Sequence, residues 1–121
     1  MRVLVVDDSS TMRKIIANAL KKVGCDEVIE AGNGQEGLQQ LTSSAVDLVV
    51  TDWNMPVMNG LEFLSRVQKE PAYQGIPVII ISTEGKEEDT IRGLKLGAKG
   101  YVKKPFQASE LHGLIEKITS G

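Results

Sequence analysis

Three acids, a hydroxyl and a lysine stand out because each follows a short apolar run. Asp7 and Asp8 follow Val3-Leu4-Val5-Val6, Asp52 follows Leu48-Val49-Val50-Thr51, Ser82 follows Val78-Ile79-Ile80-Ile81, and Lys104 lies in the Lys103-Lys104 pair that ends Gly100-Tyr101-Val102. Runs of β-formers with no polar break read as strands buried on both faces of a parallel sheet. The polar residue ending each run would then lie on the carboxyl edge of that sheet, where open α/β folds build their sites. Any one acid there reads as an ordinary turn residue. Polar groups from four strands on one edge favour a site over a solvated rim. Carboxylates that converge repel one another: two unit charges about 4 Å apart cost on the order of 4 kcal/mol at an effective dielectric of 20. Lys104 offsets one charge, and a divalent metal offsets the rest. An all-oxygen set without His or Cys points to Mg²⁺, with Mn²⁺ as the other candidate. A hard cation, a lysine and a hydroxyl around one carboxylate suit phosphoryl transfer, with Asp52 as the acceptor. An aspartyl nucleophile needs no deprotonation at neutral pH, the metal neutralises the transferring oxygens, and Lys104 and Ser82 engage the others.

The elements that must position these groups are legible in the spacing. Met12, Ile15, Ile16, Ala19, Leu20 and Val23 recur at helical intervals over 11–23, with Ser9 or Ser10 as N-cap and Gly24 as the stop. Residues 27–31 read as a second strand, and Asn33-Gly34-Gln35-Glu36 resembles a capping box for a helix through Leu41, closed by Thr42-Ser43-Ser44. Asn59-Gly60-Leu61-Glu62 repeats that start, Leu61, Leu64 and Val67 supply an apolar face, and Glu70-Pro71 ends the third helix. Pro56 and Asn59-Gly60 prevent the Asp52 strand from continuing. A fourth helix opens on Glu87, Glu88 and Asp89, where negative charge favours the dipole, and stops at Gly97. Its apolar face, Ile91 and Leu94, is thin, which predicts a half-exposed, movable element. Leu111, Leu114, Ile115 and Ile118 mark the last helix, before a polar tail. Five strands alternating with five helices make an α/β class with a doubly wound five-stranded parallel sheet.

The length of 121 residues is that of one domain spanning 1–121. With 14 Lys+Arg against 16 Asp+Glu, the net charge of -2 carries no excess that would draw nucleic acid or an anionic membrane. No apolar run approaches a spanning helix, and Met1 leads straight into a strand, leaving no room for a signal peptide. A soluble, cytoplasmic monomer is the expectation. Cys25, the one cysteine, reads as an incidental thiol and the lone His112 as a helix-surface residue.

Together, Val5-Val6-Asp7-Asp8, Asp52-Trp53-Asn54-Met55-Pro56 followed by Met58-Asn59-Gly60, Ser82 after its strand, and Lys104-Pro105-Phe106 resemble the receiver domain of bacterial two-component response regulators. The resemblance covers essentially the whole chain. It implies a flavodoxin-like (βα)5 fold with strand order 2-1-3-4-5, and a phosphoryl group accepted by Asp52 from a histidine kinase. It implies that Asp8, Asp52 and the main-chain carbonyl of Asn54 bind Mg²⁺, with Asp7 acting through water. Ser82 and Lys104 are implied to engage the phosphoryl group, and the Lys104-Pro105 peptide to be cis. Ser10-Thr11-Met12-Arg13, Glu84-x-Lys86 and Gly100-Tyr101-Val102 are similar to the single-domain chemotaxis members of the family. There Ser82 and Tyr101 would be the switch residues, and the face of the fourth helix, fifth strand and fifth helix would bind the flagellar motor switch protein. Asn54 and Glu84 would tune dephosphorylation, alone or with a phosphatase. Ser9, Glu87, Thr90 and Leu114 depart from that chemotaxis pattern.

The family reading is of a signalling switch and not an enzyme. An alternative is the receiver of a longer regulator with a DNA-binding or enzymatic output, or a stand-alone receiver with a non-flagellar partner. A metal-dependent phosphatase working through an aspartyl-phosphate would want a second acid two residues after Asp52, where Asn54 stands. A flavin-binding flavodoxin would not place Asp7-Asp8 where a phosphate must sit.

Overall fold

The computed structural model of the chain describes residues 1–53, 55, 57–82, 87–104 and 106–119. The sequence expectations for Asn54, Pro56, Glu84, Lys86 and Pro105 fall outside those residues. Strands β1 (Arg2–Val6), β2 (Glu27–Ala31), β3 (Leu48–Asp52), β4 (Val78–Ser82) and β5 (Gly100–Lys103) form one parallel sheet in the order β2-β1-β3-β4-β5. Helices α1 (Ser10–Lys22), α2 (Gly34–Ser43), α3 (Gly60–Lys69), α4 (Glu87–Lys95) and α5 (Ala108–Thr119) connect or follow them.

The continuous apolar runs are buried on both faces because each face has its own helical cover. Val3, Val5, Leu48, Val50, Ile79 and Ile81 pack with Ile16 and Leu20 of α1 and Leu111 and Ile115 of α5. Leu4, Val6, Val49, Val78 and Ile80 pack on the other side with Leu41 of α2 and Phe63, Leu64 and Val67 of α3. Strand periodicity then orders the edge. Asp7 continues the row Val3-Val5, Asp52 the row Leu48-Val50, and Lys104 follows Val102. Asp7, Asp52 and Lys104 therefore leave the sheet on the α1/α5 side, whereas Ser82 continues the Val78-Ile80 row on the other.

The caps follow the sequence with one refinement. Ser9 caps α1, its hydroxyl accepting from the Met12 amide, and Gly24 and Gly97 take the left-handed conformation where α1 and α4 stop, with φ of 96° and 109°. Asn33 and Asn59 accept from the Glu36 and Glu62 amides at 2.9 Å. The return bonds differ from a standard capping box: Glu36 accepts from the Gly32 amide and the Asn33 side chain, both at 3.2 Å, and Glu62 pairs with Arg66 one turn on. A 3-10 turn at Pro71–Tyr73, which the sequence reading does not anticipate, follows α3. As the thin apolar face predicted, Ile91 and Leu94 of α4 are 44% and 47% exposed.

Val57 has φ 66°, a left-handed conformation that a β-branched residue adopts only at a cost. Its side chain is 74% exposed, so little packing depends on it. Val57→Asn is expected to raise stability by about 1 kcal/mol, because Asn tolerates this conformation. Urea unfolding checks this, and an unchanged or lowered midpoint would show that the loop does not hold that strain.

Candidate functional site

β1 and β3 are neighbours, and their register pairs Val6 with Thr51, so Asp7 and Asp52 emerge side by side. Asp7, Asp8 and Asp52 each offer a carboxylate oxygen within 4.8 Å of the others. Lys104 reaches over the end of β4 to bring Nζ 3.0 Å from Asp7 Oδ2 and 3.5 Å from Asp52 Oδ2. Its stem and head are largely buried, as is Asp7. Three carboxylates against one ammonium leave two negative charges in a partly desolvated cluster.

Each acid is held differently. Asp7 lies at the end of β1, its amide donating to the Ala31 carbonyl at 3.1 Å and its Oδ1 accepting from the Ser9 amide at 2.9 Å. Asp52 is 9% exposed, with Oδ1 accepting from its neighbour's amide, Trp53 N–H, at 2.7 Å. Below it the Thr51 hydroxyl donates to the Asp52 carbonyl at 3.0 Å, and the Gly60 amide donates to the Trp53 carbonyl at 2.8 Å. The start of α3 thereby fixes the end of β3. Asp8 is exposed on the turn before α1 and, among the described residues, takes neither a hydrogen bond nor an ion pair of its own.

Burial raises the Asp52 carboxyl above its ordinary pKa; the Lys104 ammonium works against this and the Asp7 carboxylate adds to it. Such an acid gains from a cation. The donor set fits Mg²⁺: hard oxygens only, one from each of three carboxylates within 4.8 Å of one another. Asp7, Asp8 and Asp52 are the residues that could hold the ion.

Of the other expected residues, Ser82 is fully buried at the end of β4. Asp52 is in register with Ile81, which puts Ser82 one residue farther along, and the Ser82 carbonyl accepts from the Lys104 amide at 2.8 Å. Tyr101 lies on β5 in register with Ile80 and is half-buried. Asn54 lies outside the described residues. Cys25 is a free, buried thiol, its pKa raised chiefly by that burial, and His112 sits on α5 paired with Glu116 at 2.8 Å.

Arg13 is a site residue that residue chemistry alone passes over. Its guanidinium donates to the Asp7 carbonyl at 2.7 Å and to Glu30 at 3.0 Å. One signal was available: a cation in the first turns of α1 opposes the helix dipole, and such a local inconsistency marks a position serving something else. The acids are not in an apolar cleft. A groove of about 850 Å³ lies elsewhere, between α3 and α4, against Leu61, Ile91 and Leu96. A cation and phosphoryl site needs fixed charges at an open rim, whereas a groove of that kind suits apolar ligands.

Residues 3–116 match the family described as response regulator receiver domain. A chemotaxis protein CheY homolog of Campylobacter jejuni is 45% identical over 119 residues, 98% of this chain and 92% of that protein. Chemotaxis protein CheY1 of Helicobacter pylori is 43% identical, over 98% of this chain and 96% of its own. Among solved structures, Vibrio cholerae CheY4 superposes with a TM-score of 0.89 at 33% identity, covering 97% of each chain. CheY in a CheX–CheY–BeF3–Mg²⁺ complex from Borrelia burgdorferi superposes with a TM-score of 0.92 at 27% identity, over 98% of this chain and 89% of that one. No helix among the described residues is long and apolar enough to cross a membrane. The strand order, the acid cluster with its lysine and the match along 3–116 lead to one assignment: the chain belongs to the response regulator receiver domain family of CheY-type two-component signalling.

Proposed function

We propose that the protein is a phosphorylation-controlled switch in chemotaxis signalling, loaded at Asp52 by a histidine kinase and acting in the cytoplasm through a protein contact. The observation that carries this is the position of Asp52: largely buried, beside two further acids, with a lysine 3.5 Å away. An oxygen of its carboxylate attacks phosphorus as the P–N bond of the phosphohistidine breaks, and the imidazole nitrogen keeps that bond's electrons and takes a proton. Bound Mg²⁺ would neutralise charge on the phosphoryl oxygens. Trp53 N–H orients the acceptor through Oδ1, and Lys104, already between Asp7 and Asp52, swings to a phosphoryl oxygen. Ser82 takes another oxygen, and this inward pull is what Tyr101 and the α4-β5-α5 face report. The half-exposed Ile91 and Leu94 suit a face that partners occupy only in one state.

By similarity to the CheY relatives, the protein target is proposed to be the flagellar motor switch protein, and a phosphatase to reset the switch. BeF3 has the shape of a phosphoryl group, so the Borrelia CheY, solved with it and Mg²⁺, supports the same loading here. The protein turns over no substrate of its own in this reading. The test is the intact mass after incubation with acetyl phosphate. A single labile adduct that needs Mg²⁺ is expected. If neither acetyl phosphate nor a phosphorylated histidine kinase produces one, the switch reading falls.

A further inference from the structure

We infer that Arg13 is the positioning residue that aims Asp8 at the cation, acting through the carbonyl of Asp7. The inference rests on the reading that the acid cluster holds Mg²⁺.

Asp8 has no side-chain partner among the described residues, so its direction depends on the two peptide planes that flank it. The Asp8-Ser9 plane is held at its N–H, which donates to Asp7 Oδ1 at 2.9 Å. The Asp7-Asp8 plane is held at its oxygen, which accepts from Arg13 at 2.7 Å. Arg13 is itself braced, its Nε donating to Glu30 of β2 at 3.0 Å. The Asp7 amide is tied to the same strand through Ala31 at 3.1 Å. β2 therefore fixes the acid turn at two points, one by backbone and one through the guanidinium.

A guanidinium does this because its donors point in two fixed directions from one plane; a lysine ammonium is a single point. Without the bond, the Asp7 carbonyl turns to water, and the Asp8 carboxylate swings with the shared plane. Mg²⁺ demands near-ideal octahedral geometry, so a displaced ligand costs affinity even when its charge is unchanged.

The competing account is purely electrostatic, and it predicts the opposite sign. A cation beside an acid cluster opposes Mg²⁺, so on that account Arg13→Gln tightens binding and Arg13→Lys leaves it unchanged. Under positioning, both variants weaken Mg²⁺, by about tenfold on the scale of groups that orient metal ligands. Glu30→Gln, which removes the brace and keeps the guanidinium, weakens it less. The measurement is the Mg²⁺ dissociation constant by calorimetry on wild type and the three variants, repeated by Trp53 fluorescence, with metal-free thermal melts to establish that each is folded. Melting points that fall while the Mg²⁺ constants stay at the wild-type value would make Arg13 a stability residue only and overturn the inference. Tighter binding in Arg13→Gln overturns it as well. Wild type that binds no Mg²⁺ overturns the cation reading itself, a result distinct from wild type binding and the variants matching it.

Discussion

Asp52→Asn is expected to abolish phosphoryl labelling and, at the same time, to stabilise the metal-free protein. The loss of labelling follows from chemistry, since a carboxamide oxygen is a poor nucleophile and no other acid in the cluster is equivalently placed. Asp7 is engaged by the Ser9 amide and Lys104, and Asp8 is exposed on its turn. The gain in stability follows from the raised pKa of Asp52, which burial causes first and the Asp7 carboxylate second, against the pull of Lys104. A carboxyl whose pKa is higher folded than unfolded supports the fold below its unfolded pKa. That contribution is lost as pH rises through the folded value. At neutral pH without a cation, the ionised acid works against folding.

Asparagine removes the charge and keeps the shape. The metal-free variant is therefore expected to gain about 1–2 kcal/mol at pH 7, a few degrees in Tm, with the difference shrinking toward acid pH. Added Mg²⁺ should reverse the order, because wild type gains more from it. Melts at neutral and acid pH with EDTA or Mg²⁺ decide this, and a variant less stable than wild type in EDTA would mean that Lys104 already compensates Asp52 fully.

Gly60→Ala is expected to be the most damaging small substitution near the site. A Cβ at Gly60 would lie 2.8 Å from Trp53 Cα and overlap the Asp52 carbonyl oxygen. Both obstacles are backbone of the strand that carries the acceptor, so neither can swing aside as a side-chain tip would. Either α3 withdraws, stretching the 2.8 Å bond from the Gly60 amide to the Trp53 carbonyl, or the end of β3 shifts and moves Asp52 relative to Lys104. A loss of about 3 kcal/mol or more is expected in urea unfolding, with weakened labelling in whatever remains folded. Stability within about 0.5 kcal/mol of wild type would mean that α3 packs less closely than the geometry requires.

The fold was largely legible because its strands advertise themselves by uninterrupted apolar runs and its helices by spacing and caps. Asp7, Asp52 and Lys104 could be grouped because strand ends of a parallel sheet share one edge, and the structure brings these three together with Asp8. The sequence did not show which side chain would reach which. That Lys104 divides itself between two acids depends on its stem crossing β4, a matter of register and twist. Arg13 shows in the sequence only as a cation set against the dipole of α1, since one of its partners is a backbone carbonyl and carbonyls leave no mark in a sequence. The left-handed Val57 was invisible for a different reason: its residue type argues against the conformation it takes.

The ion pair from Lys104 to Asp7 joins residues 97 apart, whereas the β1–β3 pairing that brings the acids together closes over less than half that span. A chain emerging from the ribosome therefore holds all three acids well before its lysine exists. In that interval the ammonium that pairs with Asp7 and Asp52 is missing from the edge. The addition of β5 thus does two things in one step: it closes the sheet and delivers the ammonium that offsets one of the three acid charges.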